Sequence, residues 1–64
     1  MEPRDMVVEI VYESKKGLYP LQIAQEVSKR YRVNMNTRQV EEIVRKNPRL
    51  FVEVDGLIKE PEHR

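Results

Sequence analysis

The sequence has no cysteine, no tryptophan and a single histidine, His63. Without cysteine there are no disulfides and no thiolate metal sites, so apolar packing must hold the fold by itself. A lone histidine beside Glu60 and Glu62 lacks the ligand spacing of a metal site. Ser14, Ser28 and Thr37 have no histidine placed to activate them. Glu41 and Glu42 point about 100° apart on a helix, so they do not form a paired-carboxylate site. These absences describe a chain that is not an enzyme and uses no cofactor or metal. Glycine is scarce too: Gly17 and Gly56 are the only two, at an expected helix end and an expected turn, which leaves no phosphate-cradling loop. No run approaches the roughly 18 apolar residues of a membrane span, and no signal-peptide pattern opens the chain. The expected location is cytoplasmic, away from membranes. Three tyrosines and one phenylalanine are the only aromatics, few for a protein that stacks RNA bases.

What is present is charge. Charged side chains make up 36% of the 64 residues, against a usual value of about 25%. Much Glu, Lys and Arg with little Asn and Gln suits a thermophile. The net charge of +1 hides a division along the chain. Residues 15–49 carry nine basic side chains against Glu26, Glu41 and Glu42, a balance of +6. Residues 1–14 set Arg4 against four acids, or −3; residues 50–64 set Lys59 and Arg64 against four, or −2. A basic middle between acidic ends points to a polyanionic partner, the alternative being that these charges only solvate helix faces.

Periodicity predicts three helices. The first is expected from Pro3 to Lys16, with Val7, Ile10, Val11 and Ser14 on one face and Gly17 ending it in a left-handed conformation. Val8 and Tyr12 lie off that face, either covering the C-terminal strands or offering a partner contact. The second opens around Leu18-Tyr19-Pro20 and buries Ile23, Ala24 and Val27, with Tyr31 continuing that face. A turn at Val33-Asn34-Met35 leads to the third, capped by Asn36 with Gln39 three residues on. Val40, Ile43 and Val44 face inward there. Arg38, Glu42, Arg45 and Arg49 line the opposite side, Glu42 spaced for ion pairs with Arg38 and Arg45. Asn47-Pro48 stops the helix. Residues 50–54 and 57–59 read as strands joined by a type I′ turn at Asp55-Gly56, pairing Val54 with Leu57 and Val52 with Lys59.

Helix, helix, turn, helix and hairpin, with the runs Pro20-Leu21-Gln22-Ile23-Ala24-Gln25-Glu26-Val27, Asn36-Thr37-Arg38-Gln39-Val40-Glu41-Glu42-Ile43-Val44 and Asn47 to Leu57, resembles the winged helix-turn-helix superfamily. The last run is also similar to HARE-type helix-turn-helix domains, where an Arg-Phe pair follows the third helix. The resemblance implies an α+β, mostly α fold: one winged-helix domain over residues 1–64, with a C-terminal two-stranded β-hairpin wing and a frayed tail at 61–64. It implies a nucleic-acid-binding module, with duplex DNA as partner and transcription regulation as the setting. Thr37, Arg38 and Gln39 would meet base edges; Arg45, Lys46 and Arg49 would hold phosphates; Lys29, Arg30 and Arg32 would flank the turn along the backbone. Two features oppose this: Glu42 in the middle of the outward face, and an acidic wing that would not grip phosphates. Binding would then be modest for a monomer and stronger for a homodimer. The alternative is a protein-protein interaction module within a larger assembly. There the third helix would dock acidic surfaces, or Leu57-Ile58-Lys59 would accept an added strand, with Val8, Tyr12 and Phe51 as anchors.

Overall fold

Proline opens two of the three helices. In the computed structural model, which describes residues 1–62, the order is α1 (Pro3–Glu13), α2 (Pro20–Tyr31), α3 (Thr37–Lys46), β1 (Val52–Val54) and β2 (Leu57–Lys59). The readings on His63 and on the last two tail residues lie outside the described residues. Three helices followed by a two-stranded antiparallel hairpin make a mostly helical α+β fold. Pro3 and Pro20 cost nothing at the first helical position, where an N–H has no intrahelical acceptor. Gln22 Oε1 accepts the Tyr19 N–H at 2.9 Å in front of α2. Asn36 and Gln39 close the expected reciprocal box, each backbone bond 2.9 Å.

The first helix ends three residues before the expected Lys16. Ser14 is its C-terminal cap, in an extended conformation, with its N–H on Val11 O at 3.0 Å. Lys15 and Lys16 lie in a bend, so α1 has no basic last turn. The chain leaves early because Leu18 must reach β2. Its N–H bonds Ile58 O at 3.1 Å, and Ile58 N–H bonds Leu18 O at 2.7 Å. Gly17 does adopt a positive φ of +90°, but for that approach and not as a helix cap.

Among the described residues, ten buried side chains form one core. Val7, Ile10 and Val11 come from α1, Ile23, Ala24 and Val27 from α2, and Val40 from α3; Met35, Phe51 and Ile58 complete it. Val7, Val11, Ile23, Val27 and Val40 are inaccessible to solvent, and full burial of such a side chain stabilises by about 1.5–3 kcal/mol. Ile43 and Val44, expected inside, are only half-buried against this core. Tyr12 serves the fold: its hydroxyl donates to Leu50 O at 2.9 Å, tying α1 to the chain entering the hairpin. Burial there, reinforced by the charge of Glu60, pushes its phenol pKa up.

The hairpin has the expected register, Val52 with Lys59 and Val54 with Leu57. Asp55 at φ +53° and Gly56 at +86° make the turn, since both central positions of a type I′ turn need positive φ. Strand β1 is shorter than residues 50–54, because Leu50 belongs to a turn after α3, its N–H on Asn47 O at 3.0 Å. Among the described residues, no helix is long and apolar enough to cross a membrane.

Candidate nucleic-acid interface

The α2–turn–α3 unit is clamped by one hydroxyl. Ser28 Oγ accepts the Met35 N–H at 3.2 Å and donates to Met35 O at 3.1 Å. Met35 is buried, so the clamp pins the turn to α2 from inside. Arg32 ends α2 in a left-handed conformation (φ 55°, ψ 41°), which redirects the chain toward α3. Asn47 Nδ2 donates to Ile43 O at 2.7 Å and closes the far end of α3. Helical geometry then turns Arg38, Glu42, Arg45 and Lys46 away from the buried Val40, and all four are exposed.

The nine residues expected to meet nucleic acid are not one surface. Thr37, half-buried at the start of α3, shares a groove with Lys29, Leu21 and Gln25 of α2. Arg38 is exposed and makes no ion pair with a described residue. Gln39 is exposed, but its Oε1 is spent on the Asn36 N–H. Two-point reading of an adenine would therefore break the capping box. Arg45 Nη2 contacts both carboxylate oxygens of Glu42 at 2.8 Å, and Lys46 Nζ lies 3.8 Å from the same carboxylate. Arg49 is not on the helix: it sits in the turn over residues 48–50. Arg30 leaves the site altogether. Its guanidinium forks onto Glu13 of α1 at 2.7 and 2.8 Å. Lys29 and Arg32 are exposed and free of ion pairs with described residues.

No family model, curated protein or solved structure matches this chain.

The electrostatics follow from these pairs. Glu42 is held below the usual carboxylate range, first by the Arg45 hydrogen bond, then by the charges of Arg45, Lys46 and Arg38. Glu13 is lowered chiefly by its hydrogen bond from Arg30, which in return holds the Arg30 proton more firmly. The Tyr31 hydroxyl donates to Glu9, and that bond, with burial, raises its pKa. The +6 of residues 15–49 is thus spread over several faces. Lys15 lies in a groove with Glu60 and Glu62, Arg30 on α1, and Arg45 over Glu42. Ser28 and the Arg30–Glu13 pair escaped the sequence reading. Residues seven and seventeen positions apart meet only through tertiary packing, and no local periodicity marks them.

Proposed function

We propose that this chain is a nucleic-acid-binding module, without catalytic chemistry, that takes duplex DNA on its α2–turn–α3 face, as winged helix-turn-helix proteins do, in a cytoplasmic, regulatory setting. The observation that carries the reading is the start of α3. Arg38 and Gln39 are exposed there, Arg38 makes no ion pair among the described residues, and Lys29 shares a groove with Thr37. Arg38 would read a guanine edge, with Thr37 beside it; Lys29, Arg32 and Arg49 would hold phosphates. Arg45 and Lys46 join only by exchanging Glu42 for phosphate. The hairpin, acidic at Glu53 and Asp55, stays off the duplex. One α3 per chain makes a weak monomer, so tight binding calls for two copies on one site.

The test is fluorescence anisotropy of a random-sequence labelled duplex across a salt series. Three phosphate-bound cations give a log–log slope of about −2.7, and five give about −4.5. Arg38→Ala should weaken binding, while Arg30→Ala should leave the slope unchanged. No binding at low salt would overturn the proposal.

A further inference from the structure

The two edges of the hairpin are not equivalent. Main-chain N–H and C=O of one strand residue point to the same side, and successive residues alternate. Both groups of Ile58 bond Leu18, so they point away from β1. Ile58 pairs with Glu53; the pair is therefore of the non-hydrogen-bonded kind, and the N–H and C=O of Glu53 point outward from the free edge of β1. The edge expected to accept a strand, Leu57-Ile58-Lys59, is already occupied by Leu18. The open one is β1.

Its side chains say what fits. Directly paired residues share a face, so Glu53 lies on the face of the buried Ile58, and Val52 and Val54 on the other. These two valines are 38% and 46% exposed, which puts β-branched apolar side chains at an unpaired edge. On the inner face, Glu53 and Glu41 line one groove with Val44 and Arg45. Arg45 is turned onto Glu42, which leaves two carboxylates there to meet an incoming cation. A second copy fits poorly: antiparallel self-pairing centred on Glu53 sets carboxylate against carboxylate. A short edge strand with a central charge is a usual guard against self-association.

We propose that β1 accepts an extended segment of a partner protein as a third strand, apolar–basic–apolar in pattern, its Lys or Arg opposite Glu53 and its neighbours against Val52 and Val54. Two main-chain hydrogen bonds through Glu53 supply register, and the charge pair supplies selectivity. The site is separate from the duplex-binding face and does not depend on that reading.

The experiment is an amide NMR titration of the whole chain with two blocked peptides, Thr-Val-Lys-Val-Thr and Thr-Val-Glu-Val-Thr. Expected are shifts centred on residues 52–54, slowed exchange of the Glu53 amide, and a preference of about fivefold or more for the Lys peptide. Glu53→Lys should reverse that preference. Glu53→Pro should abolish binding: it removes the outward donor but no bond to β2, and proline is tolerated on an edge strand. Both variants keep the salt-dependent duplex binding of the native chain if that binding exists, so the two readings fail separately. Equal affinity for both peptides, or a dimer of the free chain at neutral pH that Glu53→Pro dissolves, would overturn the proposal.

Discussion

Gly17 sits at φ +90°, where a Cβ would come within 2.7 Å of Lys59 Cγ, 3.1 Å of Ile58 O and 3.2 Å of Leu57 Cβ. Lysine can swing aside; the carbonyl cannot without losing its bond to Leu18. Gly17→Ala should therefore cost more than the roughly 1–2 kcal/mol of left-handed backbone strain, read as a lower urea midpoint. At Gly56 the nearest atoms belong to Tyr19 at 3.4 Å, an ordinary contact. Gly56→Asn, which tolerates that φ, should be the milder change. A similar contrast holds for two isoleucines. Ile23 is inaccessible to solvent, and Ile23→Ala should lose about 2–5 kcal/mol. Ile43 borders an open groove beside α1, so Ile43→Ala should lose less in the same titration. Equal losses would mean the α3 flank is closed.

Each helix is delimited by bonds that the next element needs. Ser28 carries the α2–α3 connection, and Ser28→Ala leaves the Met35 N–H and C=O without that partner. Stranding such part-buried groups costs about 1–3 kcal/mol. Because the same clamp aims α3, the variant should also bind duplex more weakly at temperatures where it remains folded. On α3 itself, Glu42 competes with any anion for Arg45 and Lys46. Glu42→Gln should steepen the log–log salt slope by up to about 2. An unchanged slope would show that these two cations never reach the duplex.

At the scale of the whole molecule, the described residues include ten buried apolar ones and no buried polar or charged side chain. Its pH dependence therefore comes from two surface carboxylate–arginine pairs and two tyrosine hydroxyls. The hydrogen bonds from Arg30 and Arg45 hold Glu13 and Glu42 below the usual carboxylate range in the fold. Their contribution is complete above that range and is lost as pH falls through the lower folded values. Tyr12 and Tyr31 are raised above 10.0; their contribution is complete below 10.0 and is lost as pH rises through the folded values. The melting temperature should be flat between these limits and fall on both sides. The acid limb should be shallower in Glu13→Gln, which has no titration to lose at that site.

Much of this was legible in the residues themselves. Pro20, the Asn36–Gln39 box, Asn47-Pro48 and Asp55-Gly56 act on their own backbone within a few positions, so local chemistry set where α2 and α3 start, where α3 stops and how the hairpin is registered. Val7, Ile10, Ile23, Val27 and Val40 announce the core by helical spacing. Tertiary structure decided the rest. Leu18 ended α1 early by pairing with a residue forty positions away, and so chose which hairpin edge stays open. Arg30 was drawn from the turn to Glu13, and Arg49 was left off α3. A charge count along the chain adds residues that packing then sends to different faces, because ion pairs and strand edges are settled by distance in space and not by separation in sequence.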